Sequence, residues 1–152
     1  MVTLVGTMRE ATMAEHASYE IIRGFGVPRE DVFAAWTTPE RFARWFGPRF
    51  TAAPVDRIVL DARPGGVWRV TLTAEEGFEV TFDGVYREVV PPARLVFATG
   101  DPDDPVSVVT VELADDGGGT AMTFREYGVN AGEESRRGWM EFFDRLDEHL
   151  TG

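Results

Sequence analysis

The apolar positions of this chain change period twice. From Ser18 to Phe25 the run Tyr19-Glu20-Ile21-Ile22-Arg23-Gly24-Phe25 is rich in residues that favour strands, and Gly26-Val27-Pro28 ends it, because proline cannot donate to a ladder. Pro28 then stands where a helix begins, with Glu30 and Asp31 in its first turn, and Val32, Phe33 and Trp36 form a helical stripe that stops at Thr37-Thr38-Pro39. Pro39 and Glu40 open a second short helix carrying Phe42, Trp45 and Phe46, closed by Gly47-Pro48. The sequence therefore predicts one strand followed by two short helices.

Beyond Arg57 the period is two. Arg57 to Ala62 reads as a strand and Arg63-Pro64-Gly65-Gly66 as a turn. Trp68, Val70 and Leu72 then alternate with Arg69, Thr71 and Thr73, and Phe78, Val80 and Phe82 alternate with Glu79, Thr81 and Asp83 across the turn Glu75-Glu76-Gly77. Gly84 interrupts this alternation and suggests a bulge before Val85 to Val89. Leu95 and Phe97 share a face in Arg94 to Thr99. An acidic loop from Gly100 to Pro105 precedes Val109, Val111 and Leu113, and Asp115 to Gly119 turns the chain into Met122 and Phe124. About six strands in a meander follow the helices, with no βαβ spacing and no repeat.

The last segment, Asn130 to Leu150, returns to the helical period. Trp139, Phe142, Phe143, Leu146 and Leu150 fall on one stripe, and Glu141, Arg145, Asp147 and Glu148 fall opposite. Asn130 followed by Glu133 has the form of a capping box. Three aromatics on one stripe need a broad apolar partner surface, which the strands supply, so the expected fold is α+β: an antiparallel sheet curled round the final helix.

Composition limits the chemistry. With 152 residues the chain makes one domain over 18–152, and Met1 to Ala17, which has no sustained period, reads as a flexible arm. There is no cysteine, so thiolate nucleophiles and disulfides are excluded. The 15 basic residues are all arginine, and a formal net charge of −11 repels nucleic acid and anionic membrane. No apolar run reaches membrane-span length and the start lacks a signal-peptide pattern, so a cytoplasmic protein is expected. His16 and His149 are the only histidines, too few and too far apart in sequence for a two-histidine metal site or a histidine-centred triad. Gly24-Phe25-Gly26 has Arg29 where a dinucleotide fingerprint needs glycine, so no cofactor is expected.

Several blocks in order carry a family likeness. Pro28-x-x-x-Val32-x-x-x-Trp36-x-x-Pro39, Trp45-Phe46-Gly47-Pro48, Asp61-x-Arg63-Pro64-Gly65-Gly66-x-Trp68, Gly84-x-Tyr86-x-Glu88-x-x-Pro91-Pro92-x-Arg94-Leu95-Val96-Phe97, Gly119-Thr120 and Gly138-Trp139 resemble the Hsp90-ATPase-activator-homologue group of START/Bet v 1-like domains, within the polyketide cyclase and lipid-transport superfamily. The resemblance spans about Ser18 to Leu150. It implies a helix-grip fold of six to seven strands around a long C-terminal helix, often with a cavity between them. The matching residues are turn formers and core aromatics, so the likeness brings no reaction with it.

Polar groups in phase with inward apolar ones are the remaining candidates. Glu126 follows Phe124 by two and Met122 by four, and Tyr86 and Glu88 continue the phase of Phe82. An interior carboxylate is unfavourable unless paired, and burial moves it toward acid–base use, so Glu126 and Glu88 are the catalytic candidates. The alternative puts Glu126 in solvent or against an arginine, and has a bulge at Gly84 turn Tyr86 and Glu88 outward. Trp45 and Phe46 are adjacent and are not both expected to face the core, so one of them borders a pocket mouth.

The ligand-binding wall expected on this reading comprises Trp45, Phe46, Trp68, Val70, Phe82, Tyr86, Phe97, Val111, Phe124, Glu126, Trp139 and Phe143. Three functions stay open: a binder of a small hydrophobic or aromatic ligand; an enzyme of cyclase, dehydratase or isomerase type working through an interior carboxylate; and a chaperone-associated protein. A homodimer through the sheet edge or the short helices fits each of them.

Overall fold

Strand after strand, the alternation resolves in the computed structural model, described over residues 17–151, into one eight-stranded antiparallel sheet. β1 (Ala17–Phe25) leads into α1 (Arg29–Thr37) and α2 (Pro39–Phe42). The two-residue β2 (Thr51–Ala52), a 3-10 turn over Val55–Arg57 and β3 (Ile58–Leu60) follow. The meander proper is β4 (Val67–Ala74), β5 (Glu79–Val90), β6 (Arg94–Asp101), β7 (Asp104–Asp116) and β8 (Gly119–Gly128), and α3 (Glu133–Thr151) closes the chain. Strand order is β1-β8-β7-β6-β5-β4-β2, with β3 also paired to β4. The first strand thus lies beside the last, and α1 and α2 carry the chain from one edge of the sheet toward the other.

Register places the apolar residues in rows on one face. Ile21 lies opposite Phe124, Phe124 opposite Val111, Val111 opposite Leu95, and Val109 opposite both Phe97 and Glu126. Against these rows pack Trp139, Phe143 and Leu146 of α3, all buried. Trp36 of α1 stands among them, with ring centroids 4.8 Å from Trp45, 5.8 Å from Trp139 and 6.1 Å from Phe143. Burying each such side chain contributes on the order of 2–3 kcal/mol, so this aromatic cluster is the main apolar stabilisation of the fold. The polar side of α3 is tied down as well. Arg145 donates to the carbonyls of Gly47 (2.6 Å), Pro48 (3.3 Å) and Arg44 (3.4 Å), binding the helix to the turn after α2. Among the described residues no helix is long and apolar enough to cross a membrane.

Local differences from the sequence reading have physical causes. The helix starts at Glu133, not Asn130; the Gly132 carbonyl accepts from Arg136 N, so Gly132 takes the cap position. The loop expected over Gly100 to Pro105 is mostly strand, because β6 and β7 continue pairing to Asp101 opposite Asp104. Trp45 and Phe46 are both buried: the helix ends at Phe42, and the turn that follows lets neighbours point apart without either reaching solvent. Gly84 does not carry the bulge. A Cβ there would lie 1.8 Å from the Ala98 carbonyl oxygen, so glycine serves a close approach of β5 to β6, and the register shifts only between Tyr86 and Glu88. The arm expected over 1–17 lies outside the described residues apart from Ala17, which opens β1. His16 also lies outside them.

Candidate functional site

Sheet and α3 do not close completely on one another. Between the sheet and the first half of the helix lies a cleft of about 740 Å³, open to solvent. Phe46 comes from the turn after α2, Trp68 from β4, Phe82 from β5, Ser107 and Val109 from β7 and Glu126 from β8, while Ser135, Gly138, Trp139 and Phe142 come from α3. The aromatic side is continuous: Phe46 lies 5.3 Å from Phe142, 5.7 Å from Trp139, 5.9 Å from Trp68 and 6.0 Å from Phe82 between ring centroids. Phe82 is 40% exposed although it stands opposite the fully buried Val70, because the cleft opens over it.

Glu126 supplies the buried charge of this cleft, with only 4% of its surface exposed. Its Oε1 accepts from the Tyr19 hydroxyl at 2.6 Å and from the Ser135 hydroxyl at 2.6 Å, and the two hydroxyls lie 3.3 Å apart. No hydrogen bond from the described residues reaches Oε2. Burial first, and the bond to Glu126 second, push the Tyr19 phenol well above its ordinary value, so Tyr19 stays a donor at neutral pH. A carboxylate held by two donors on one oxygen presents the other in a fixed orientation, suited to accepting a hydrogen bond or a proton from a guest.

The sequence-derived candidates divide between cleft, core and outer face. Phe46, Trp68, Phe82, Glu126 and Trp139 line the cleft. Trp45, Val70, Phe97, Val111, Phe124 and Phe143 are buried in the packed core and do not line it, and Trp45 donates its indole N–H to the Ala35 carbonyl at 3.0 Å. Tyr86 is also in the core, 1% exposed and 6.2 Å from the Phe97 ring, with a hydroxyl that has no hydrogen-bond partner among the described residues; burial raises its pKa. Glu88 is on the outer face. The irregularity after Tyr86 reverses its phase, and Arg94 donates to it at 3.0 Å and holds its carboxylate below the usual range. Arg94 and Arg125 both pair with Glu112, and Arg125 reaches Glu20, so Glu88 belongs to a solvent-facing ladder of charges across β5, β6, β7, β8 and β1. His149 sits near the far end of α3, its pKa lowered by burial and by Arg44 and Arg41.

Tyr19, Ser135 and Ser107 join the site without having been singled out from sequence, and Gly138, which carried part of the family likeness, was not among the site candidates. Ser135 was within reach of the helical period, since it precedes Trp139 by four and Phe142 by seven. Tyr19 shares the inward phase of Ile21, but its contact with Glu126 spans 107 positions and has no local signature.

Comparison with known proteins agrees with this architecture. The structure of a protein from Nitrosomonas europaea superposes with a TM-score of 0.78 at 25% identity, covering 91% of this chain and 96% of that one. The AHSA1 protein from Silicibacter pomeroyi superposes with a TM-score of 0.74 at 26% identity, covering 89% and 98%. The AHSA1-like protein from Aeromonas hydrophila, at 22% identity and a TM-score of 0.76 over 89% and 92%, shares the fold. No curated protein matches significantly. The family model described as "Activator of Hsp90 ATPase homolog 1-like protein" matches residues 26–151, nearly all of the helix-grip unit built above, and the chain therefore belongs to that family.

Proposed function

We propose that this protein binds a small, largely apolar ligand with an aromatic or ring-shaped body in the cleft between the sheet and α3. The observation that carries the reading is the cleft itself: about 740 Å³, walled by Phe46, Trp68, Phe82, Trp139 and Phe142, with the buried Glu126 carboxylate as an oriented polar contact. That volume is in the range of small-molecule sites, which combine apolar walls with a few placed polar groups. The family fold is consistent with a ligand-binding domain. The reading is of a cytoplasmic binder without nucleic-acid partners, since a net charge of −11 repels polyanions. Titration of the isotope-labelled protein with a panel of aromatic and alicyclic metabolites, followed by amide NMR, tests it. Shifts confined to residues around Trp68, Glu126 and Gly138 are expected. Shifts centred on the outer face of the sheet would refute the assignment.

A second reading, a proton-transfer enzyme acting on an enolisable substrate, is favoured by one feature. Both donors among the described residues reach Glu126 through Oε1, which leaves Oε2 without a hydrogen-bond partner among them and able to take a proton beside a guest. Solvent deuterium exchange into a bound ketone by the wild type, lost in Glu126→Gln, is the expected outcome; equal exchange in both proteins would refute it.

A further inference from the structure

The charge along the cleft is of one sign. Among the described residues its charged lining residues are Asp83, Glu126 and Glu134, and no described arginine or histidine lines it. Asp83 stands opposite Arg69 in the β4–β5 ladder, in outward phase relative to Phe82, so the electrostatics rest on Glu126 and Glu134. Arg136 and Arg137, the nearby basic groups, both pair with Glu133 at 3.4 and 3.8 Å, and Arg136, which also lies within electrostatic reach of Tyr19, makes no hydrogen bond to Glu126. The first turn of α3 lies at the rim, where exposed amides ordinarily favour an anion, but Glu133 and Glu134 already supply negative charge there. The buried carboxylate adds a second, independent feature. Its Oε2 takes no hydrogen bond from the described residues, and its donors Tyr19 and Ser135 are neutral, so its charge is not balanced by a bonded cation. Aromatic faces opposite such a carboxylate attract a cation in their own right.

We infer that the guest of this cleft is an aromatic or alicyclic amine, its protonated nitrogen directed at Glu126 Oε2 and its ring held by Trp68, Phe46 and Trp139, and that carboxylate-bearing ligands are rejected. The inference rests on the ligand-binding reading above and adds the sign of the ligand's charge. A carboxylate guest would meet Glu126 in a partly desolvated site where no cation of the described residues is bonded to it, and like charges there are strongly unfavourable.

Three probes of one shape test this by calorimetry on the full chain at 150 mM salt: tryptamine, 3-ethylindole and indole-3-propionate. Tryptamine is expected to bind about 10-fold or more tighter than the neutral probe, the scale of one charge-assisted hydrogen bond, and indole-3-propionate weakest. In Glu126→Gln the amide replaces Oε2 or Oε1 with a donor, and the tryptamine preference should fall to about 3-fold or less. Should that variant fail to fold, Glu134→Gln, at an exposed position, should narrow the preference by about 2-fold. Equal binding of all three probes would overturn the charge inference and leave the ligand reading standing. A tryptamine preference unchanged in both variants would mark attraction to the net charge and overturn the inference too. Binding by none of the probes would overturn it and count against the ligand reading itself.

Discussion

Gly138 links the stability of α3 to the use of the cleft. It is the sixth residue of a 19-residue helix, an interior position where glycine is less favourable than alanine by about 0.5–1 kcal/mol. Beyond its own helix backbone and chain neighbours, a Cβ built there meets no atom of the described residues within 4 Å, and the residue lines the cleft between Ser135 and Phe142. Nothing in the packing therefore requires glycine, and the space it leaves belongs to the cleft. Gly138→Ala should stabilise the protein by about 0.5–1 kcal/mol, a rise in Tm of roughly 1–4 °C for a chain of this size. Gly138→Leu should keep most of that gain while filling the cleft. Its four added heavy atoms, at roughly the 30 Å³ that each molecule of liquid water occupies, take up about 120 Å³, around one-sixth of the space. If the leucine displaces two or three methylene-sized contacts at about 0.8 kcal/mol each, affinity for a bound indole drops about 15- to 60-fold. Differential scanning calorimetry and titration of the two variants provide the assay. A lowered Tm in Gly138→Ala would refute the account of the helix. A stable Gly138→Leu that binds as tightly as the wild type would refute the cleft as the site.

Other positions give independent checks. Gly84→Ala places a methyl 1.8 Å from the Ala98 oxygen, and because both partners are backbone the β5–β6 pair must move apart; urea unfolding should show a loss of about 3 kcal/mol or more. Arg145→Met retains the apolar stem but leaves the carbonyls of Gly47, Pro48 and Arg44 without this donor, so stability should fall by about 1–3 kcal/mol in the same assay, and an unchanged midpoint would show that water replaces the guanidinium freely. The Tyr19 and Tyr86 phenols have raised pKa values in the fold, so above pH ~10 the unfolded chain loses protons that the folded chain keeps. Stability should therefore decline as pH rises past that value, by up to about 1.4 kcal/mol per pH unit for the buried Tyr86. Tyr86→Phe should flatten the decline, and a decline of the same slope in that variant would refute the assignment.

Period and punctuation made most of the architecture legible from the chain alone. The stripe Trp139, Phe143, Leu146 forced an amphipathic helix onto a broad apolar face, and the alternation through Trp68-Val70-Leu72 and Met122-Phe124 fixed which side of each strand would supply it, because side-chain direction along a regular element depends only on spacing. The inward aim of Glu126 followed from the same rule. The rule fails wherever the ladder is irregular. Arg87, the extra residue between Tyr86 and Glu88, carries no sequence signal of a bulge, yet it separates a buried phenol from a solvent-exposed ion pair. Nor does spacing tell cleft from core. Phe124 and Glu126 are two residues apart on one strand and one face; Phe143 of α3 closes over the first, and the open space beside Gly138 leaves the second at a cavity. That difference arises from the curvature of the sheet and the line along which α3 crosses it. Both are properties of all the strands together, so the tertiary structure alone decided where the apolar face would be filled and where it would stay open to a guest.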